Sequence, residues 1–228
     1  MRADMKKIAL LCALDYEITG LTEKLEGSSK ETVLGTTFTK GSYGDKKVCM
    51  ATTGVGKTAA AGTAMQMIQY FDPDVIFNIG MAGSCNKSLP VGGVVVASVC
   101  GYHDFYLDNP QDFGVLTEFK PDEALVEKEL DICETLNIKA LAGKVATGDR
   151  FVDGSEIKEE IRRRTDCDCV DMESAAIAQI ALKCGVAYGV VKILSDSADE
   201  NASEDFAFSA LEYSEAAGKI ALEFIKRA

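Results

Sequence analysis

The chain has 228 residues, 47% of them hydrophobic, so it can bury a sizeable core, and no linker rich in Pro, Ser or Gly divides it. We therefore predict a single domain spanning residues 1–228. The 36 acidic residues outnumber the 24 basic ones and give a formal charge of −12, which repels phosphodiester backbones and anionic lipid surfaces. No apolar run approaches the ~18 residues of a membrane span, so neither a nucleic-acid nor a membrane partner is expected.

Eight cysteines and a single histidine restrict the possible chemistry. Most cysteines stand singly in apolar stretches, which is typical of buried thiols in a reducing compartment, and we predict a cytoplasmic protein. Cys167 and Cys169 form a C-x-C pair without a second pair nearby, and since structural zinc needs four ligands, no metal is expected. A nucleophilic triad would depend on His103 alone, so carboxylates are favoured as acid and base.

Short apolar runs alternate with helical patterns along the chain. The first run, IALLCAL, follows two lysines as in a signal peptide, but it has only seven residues and is interpreted as a buried strand. Strands are predicted at 6–13, 46–53, 74–80, 92–99, 140–147, 167–171 and 186–195, with a hairpin around 31–43 that turns at Gly35 and at Gly41-Ser42. Helices are predicted at 15–26, 56–71, 122–136, 154–164, 172–184 and 203–226. This alternation predicts an α/β fold in which helices cover both faces of a largely parallel or mixed sheet.

Three glycine-bearing turns follow predicted strands. TTGVGKT at 52–58 ends like a phosphate-binding loop, but Ala51 occupies the first glycine position; it is either a tight turn whose helix N-terminus faces a polar ligand group or a turn without a ligand. NIGMAGS at 78–84 either lets a ligand approach the backbone or packs a helix on the sheet. ATGDRFV at 146–152 places Phe151 where a flat base could stack, although an isolated Phe is more often part of a core.

Carboxylates follow three of the predicted strands. Glu17 comes after the first strand, Glu173 after the strand that ends at 171, and Asp196 after the run VAYGVVKIL. Glu173 could merely complement a helix dipole, and Asp196 could be an N-cap. Those explanations treat each acid separately, whereas three strands that end in acids at one sheet edge indicate a shared ligand site.

Eight motifs in order resemble those of the nucleoside phosphorylase and nucleosidase superfamily, nearly from end to end. They are MKKIALLCALDYEI, TTGVGKTAAA, PDVIFNIGMAG, VGGVVVAS, YHD, ATGDRFV, VDMESAAIAQIA and VVKILSDSAD. Within the superfamily the chain is most similar to the 5′-methylthioadenosine/S-adenosylhomocysteine nucleosidases. The resemblance implies a three-layer α/β/α sandwich with a central mixed sheet, no cofactor, and hydrolysis of an adenine N-glycosidic bond to adenine and a 5-thioribose product.

The resemblance also implies roles for the three acids. Asp196 would protonate purine N7, Glu17 would activate a water below the anomeric carbon, and Glu173 would bind the ribose hydroxyls. The chemistry is consistent, because adenine leaves poorly until N7 is protonated, and positive charge then grows on the ribose. An acid at Asp196 must keep its proton near neutral pH, so its pKa should be raised by burial or by neighbouring acids.

Roles for five further residues are implied by the same resemblance. Ser195 would orient Asp196, Met172 would pack against the sugar, and Phe206 would line the apolar pocket of the 5′-thio group. Phe151 and the backbone of Val152 would receive the adenine.

Two positions depart from the nucleosidase pattern. Met81 replaces a serine and Lys192 replaces an arginine, and both would lie beside the attacking water. The segment 105–121 also differs, so the 5′ substituent need not be methylthio.

A phosphorylase of the same fold is the alternative, but its phosphate-binding Arg and Ser positions correspond to Asn78 and Met81 here, which favours hydrolysis. A nucleoside-binding protein without catalysis is a third possibility, for which three acids would be unnecessary.

The helix at 56–71 carries more apolar residues than one buried stripe accommodates. They are Ala59, Ala60, Ala61, Met65, Met67 and Ile68. Together with the nucleosidase resemblance, this pattern predicts a homodimer; the alternative is an unusually buried helix inside a monomer.

Overall fold

A ten-stranded mixed sheet forms the centre of the computed structural model, which describes residues 5–18 and 20–228. The strands are β1 (Lys7–Cys12), β2 (Glu26–Val33), β3 (Thr36–Tyr43), β4 (Lys46–Thr52), β5 (Val75–Ser84), β6 (Val94–Tyr102), β7 (Glu118–Phe119), β8 (Ala140–Thr147), β9 (Cys169–Asp171) and β10 (Ala187–Asp196). The helices are α1 (Lys57–Phe71), α2 (Glu123–Thr135), α3 (Ser155–Thr165), α4 (Ser174–Cys184) and α5 (Ala202–Arg227). Short 3-10 helices occur at Asp15–Ile18, Thr22–Lys24 and Pro110–Phe113.

The strand order is β10-β6-β8-β9-β5-β1-β4-β3-β2, with β7 paired to β6 and β10 also paired to β5. Strands β5, β9, β8, β6 and β10 therefore close into a ring, and β1, β4, β3 and β2 extend the sheet from β5. β1 runs parallel to both β4 and β5, and β5 runs parallel to β10. Parallel neighbours need crossover connections, which α2 supplies between β6 and β8 and α3 supplies between β8 and β9. Strands β1, β5 and β10 are buried on both faces, which explains their continuous apolar sequences.

Helices cover both faces of the sheet, as predicted. Alternate side chains of β1 divide between the two cores: Leu11 packs on the side of α1 and α4, and Leu10 packs on the side of α2 and α5. On the second side, the rings of Phe77 and Phe224 stack with centroids 4.1 Å apart. The predicted α/β/α sandwich is thus confirmed, and the partial closure of its sheet is a feature that the strand pattern did not reveal.

The helix predicted at 15–26 is wrong. Two 3-10 turns, Asp15–Ile18 and Thr22–Lys24, occupy this stretch, and β2 already begins at Glu26. Gly20 has a φ of 81°, a left-handed conformation that cannot continue a right-handed helix.

The predicted hairpin exists as β2 and β3, but its bounds differ from the prediction. Its first strand begins at Glu26, and the turn falls at Leu34 and Gly35, as expected. Gly41-Ser42 is not a turn, because both residues lie inside β3. A Cβ on Gly41 would come within 2.8 Å of the Leu25 Cβ, so this glycine permits close packing rather than chain reversal.

No helix within residues 5–18 and 20–228 is long and apolar enough to cross a membrane. All eight cysteines are free thiols, and seven of them are buried. In the same described ranges, no group of three or more His, Cys, Asp or Glu side chains is arranged to hold a metal ion.

Candidate active site

A cavity of about 190 Å³ opens at the carboxyl ends of β1, β5, β9 and β10. Its lining includes nine residues that the sequence predicts for a substrate site: Glu17, Met81, Phe151, Val152, Met172, Glu173, Ser195, Asp196 and Phe206. β1 and β10 both run parallel to β5, which brings Glu17, Met81 and Asp196 to one edge, whereas Met172 and Glu173 follow β9, which is antiparallel to β5. Ala13, Val55, Arg150 and Asp171 also contribute to the lining and were not predicted.

Glu17 is held rigidly just beyond the end of β1. Its Oε2 accepts hydrogen bonds from the backbone N–H groups of Ala13 and Leu14, at 2.8 and 2.9 Å. Its Oε1 accepts from the Met81 N–H on β5 at 2.9 Å. A Cβ on Gly80 would lie 2.7 Å from Oε1, so the glycine in NIGMAGS is what allows this carboxylate to approach β5.

The NIGMAGS segment is strand rather than turn, since β5 continues through Ser84. Its small residues still bring backbone to the cavity, as one of the two interpretations predicted. Met81, Ala82 and Gly83 line the wall there, and the Met81 side chain is only 8% exposed.

Glu173 precedes α4 and is bound by the turn at the start of α1. Its Oε1 accepts a hydrogen bond from the Gly56 N–H at 2.8 Å, across 117 residues of sequence. The next N–H group, that of Lys57, donates to Asp149 Oδ1 at 2.7 Å. The helix N-terminus in TTGVGKT therefore binds two carboxylates of the protein itself.

A buried ion pair, which the sequence analysis missed, lies beside the cavity. Lys192 and Asp171 are 2% and 7% exposed, and the Lys192 Nζ lies 3.0 Å from Asp171 Oδ2. Asp171 also accepts hydrogen bonds from Thr147 Oγ1 and from the N–H and hydroxyl of Ser174. Asn78 accepts from the same Ser174 hydroxyl. A lysine inside the apolar run VVKIL was the available signal, because a buried ammonium needs an anionic partner.

Lys192 does not line the cavity, although the resemblance placed it beside the attacking water. Burial favours its neutral form, but Asp171, Glu173 and Glu17 together raise the Lys192 pKa above its ordinary value. Burial likewise opposes the ionised form of Asp171, yet Lys192 and the hydrogen bonds to Asp171 lower the pKa of this carboxyl. Lys192 therefore influences the cavity through its ion pair with Asp171 and through the attraction between its charge and those of Glu173 and Glu17.

The ion pair and the acids around it set the protonation of Glu173. Burial raises the Glu173 pKa most strongly, and the neighbouring charge of Asp171 raises it further, to about 7. Lys192 and the Gly56 N–H counteract this rise. Glu173 is therefore poised to change its charge near neutral pH.

Asp196 ends β10 inside the cavity and is 2% exposed. Its Oδ2 accepts from the Ser195 hydroxyl at 2.7 Å, and its Oδ1 accepts from the Ala198 N–H at 2.8 Å. Burial raises the Asp196 pKa, the charges of Asp205 and Asp199 add to the rise, and the two hydrogen bonds oppose it. The raised pKa is what the sequence argument required of a proton donor.

Aromatic side chains form the outer wall. Phe151 is 41% exposed, so it does not belong to the core, and its ring meets Phe206 edge-on with centroids 6.0 Å apart. Val152 is buried against the cavity, and Met172 is half-buried. The wall thus presents flat apolar surface next to the buried acids.

Residues 7–226 match the phosphorylase superfamily. The 5′-methylthioadenosine/S-adenosylhomocysteine nucleosidase of Bacillus licheniformis is 33% identical over 207 residues, which cover 88% of this chain and 90% of that protein. The structure of futalosine hydrolase from Helicobacter pylori has a TM-score of 0.92 and 28% identity over 98% of both chains. A 5′-methylthioadenosine/S-adenosylhomocysteine nucleosidase from Colwellia psychrerythraea, in complex with adenine, has a TM-score of 0.91 and 30% identity over 98% of this chain and 96% of that one.

The chain belongs to the phosphorylase superfamily. Within it, the chain is similar over nearly its full length to 5′-methylthioadenosine/S-adenosylhomocysteine nucleosidases, and in its fold it is equally similar to a futalosine hydrolase.

Proposed function

We propose that this protein hydrolyses the N-glycosidic bond of an adenine nucleoside, with 5′-methylthioadenosine and S-adenosylhomocysteine as the first candidate substrates. The observation that carries the proposal is one cavity in which a buried acid of raised pKa accompanies two buried glutamates and a flat aromatic wall. The similarity to the Bacillus licheniformis nucleosidase supports the choice of substrates.

Asp196 is the general acid in this proposal. Ser195 and the Ala198 N–H fix its two oxygens, so that its proton is directed at N7 of a bound adenine. Protonation at N7 makes the base a good leaving group and lets the C1′–N9 bond break. A positioned acid of this kind contributes about 100-fold to 10,000-fold to the rate.

Glu17 and Glu173 act on the sugar side. Three N–H donors orient Glu17, which takes a proton from the attacking water as the oxygen bonds to C1′. Glu173 keeps one oxygen on Gly56 and uses the other to accept hydrogen bonds from the ribose hydroxyls. Both carboxylates stabilise the positive charge that grows on the ribose when the base departs.

The remaining lining residues hold the nucleoside. Phe151 and the Val152 backbone receive the adenine, Met172 packs against the sugar, and Met81 contributes apolar surface beside Glu17. Phe206, which meets Phe151 edge-on, lies toward the 5′ substituent. The structural similarity to futalosine hydrolase makes a nucleoside with a different 5′ group the second candidate substrate.

Hydrolysis is favoured over phosphorolysis by the charges in the cavity. A bound phosphate needs several donors and cations, and among the described residues of the lining the single cationic side chain is Arg150, which is exposed. The Asn78 amide is already engaged, because it donates to the Leu11 carbonyl and accepts from Ser174.

A homodimer is the proposed assembly. On α1, Ala60 and Met67 belong to the core, whereas Ala59 is exposed and Ala61, Met65 and Ile68 are half-buried. Next to this helix, Val55, Phe105 and Leu116 are large exposed apolar side chains. An apolar surface of this kind is typical of an interface between subunits. Light scattering at micromolar concentration should give the mass of two chains, and the mass of one chain would contradict the proposal.

A panel of nucleosides, assayed for release of the free base with and without inorganic phosphate, tests the proposed reaction. We expect adenine from 5′-thioadenosines at a rate independent of phosphate, together with the free 5-thioribose. Formation of ribose 1-phosphate only when phosphate is present would establish a phosphorylase instead. Binding of the nucleosides without release of any base would establish a binding protein.

A further inference from the structure

Arg150 is a cation at the mouth of the cavity that no mechanistic step uses. It lines the cavity and is exposed, whereas Glu17 and Asp196 on the cavity floor are 3% and 2% exposed. Arg150 follows Asp149, which binds the start of α1, and precedes Phe151, which meets Phe206. Its backbone therefore lies between the two sides of the opening through which a 5′ substituent would extend.

Within residues 5–18 and 20–228, the Arg150 guanidinium has no ion pair, hydrogen bond or aromatic partner. The four other arginines in these ranges each have a carboxylate or carbonyl partner: Arg162, Arg163, Arg164 and Arg227. The adjacent acid, Asp149, is taken by Lys57, whose backbone N–H lies 2.7 Å from Oδ1 and whose Nζ lies 3.7 Å from Oδ2. Asp104, nearby, holds the same Lys57 ammonium. Arg150 is thus left with five unused donors facing the mouth.

We infer that Arg150 selects substrates whose 5′ substituent carries a carboxylate. A planar guanidinium binds a carboxylate through two parallel hydrogen bonds, and the surrounding apolar wall offers a neutral substituent no comparable contact. The inference rests on the proposed function, because it assumes that the base lies against Phe151 and that the 5′ group points to the mouth. Free phosphate shares this chemistry, but the attacking group must reach the cavity floor beside Glu17, and Arg150 lies at the opening.

Three adenine nucleosides that differ in charge at the 5′ end test the inference: 5′-methylthioadenosine, a 5′-carboxyalkylthioadenosine and a 5′-aminoalkylthioadenosine. We expect the wild-type kcat/KM to be highest for the carboxylate and lowest for the amine. In Arg150→Gln, the ratio of kcat/KM for the carboxylate over the neutral substrate should fall by about 5-fold to 30-fold, chiefly through KM. Arg150→Lys should keep part of the preference, since it retains the charge but not the planar fork.

Arg163→Gln is the matched control, because it removes one exposed arginine from α3, away from the cavity, and should leave the ratio within about twofold of the wild type. Raising the salt concentration from about 20 mM to about 500 mM should lower the ratio of kcat/KM for the carboxylate over the neutral substrate, and it should lower this ratio more in the wild type than in Arg150→Gln. An equal ratio in Arg150→Gln and wild type would overturn the inference while leaving the hydrolysis proposal intact.

Calorimetric binding of the same three nucleosides separates the inference from the proposed reaction. If no adenine is released but Arg150→Gln loses affinity only for the carboxylate, the recognition stands and the hydrolysis proposal fails. If phosphate competes with the carboxylate nucleoside in the wild type and is required for turnover, Arg150 binds phosphate and the inference is wrong.

Discussion

Replacing Glu129 by glutamine should stabilise the protein, and the gain should grow with pH. Glu129 lies on α2, is 0% exposed, and neither of its carboxylate oxygens has a hydrogen-bond partner among the described residues. It faces Gly189 of β10 so closely that a Cβ on this glycine would come within 1.7 Å of Oε1. A buried carboxylate without partners is costly to ionise, and burial raises the Glu129 pKa to about 8.

The sign of the effect follows from where the proton resides. The Glu129 pKa is 4.5 in the unfolded chain and about 8 in the folded protein. The contribution of Glu129 to the free energy of unfolding is therefore greatest below pH 4.5 and is lost as the pH rises to about 8. Each pH unit in this window costs about 1.4 kcal/mol, so the wild type should lose about 3 kcal/mol from this group between pH 5.5 and pH 8. Glutamine has the same shape and no proton to lose.

Urea denaturation at pH 5.5 and pH 8 measures the effect. The stability difference between Glu129→Gln and wild type should increase by about 3 kcal/mol toward the higher pH. Glu127→Gln, at an exposed position of the same helix, is the control and should show no such increase. An increase below about 0.5 kcal/mol would refute the reasoning, because it would mean that the Glu129 carboxylate finds a partner or solvent in solution.

Three further outcomes are expected at the cavity. Asp196→Asn should lower kcat by about 100-fold or more while nucleoside binding is largely kept, since an amide retains hydrogen bonding but delivers no proton; near-normal adenine release would contradict its role. The wild-type kcat/KM should fall as pH drops below about 7, where Glu173 gains a proton and loses an acceptor, and this limb should flatten in Glu173→Gln. Lys192→Met should cost about 3–5 kcal/mol of stability in urea, because it leaves Asp171 buried and unpaired, and adding Asp171→Asn should recover most of that loss. If the double variant is no more stable than Lys192→Met, the ion-pair explanation fails.

The alternation of strands and helices could be predicted from the sequence because each element leaves its own local pattern. Strands buried on both faces give continuous apolar runs, and helices give amphipathic ones. The meeting of Glu17 and Asp196 could be predicted as well, since they follow strands that run parallel to β5, whereas Glu173 follows β9, which is antiparallel to β5. The prediction failed at 15–26 and at Gly41-Ser42, where a glycine's backbone angle and a close approach to Leu25 decided the structure.

The tertiary structure alone decided which groups are paired and how strongly each is buried. Glu173 meets Gly56 across 117 residues, Lys192 meets Asp171 between two strands, and Glu129 has no hydrogen-bond partner in the part of the chain that the structure describes. Charge interactions depend on distance and on the surrounding dielectric, and neither is contained in the order of residues along the chain. The sequence by itself therefore determined the fold class and the acids that meet at the cavity, whereas the protonation of these acids is decided only when the folded chain removes them from water.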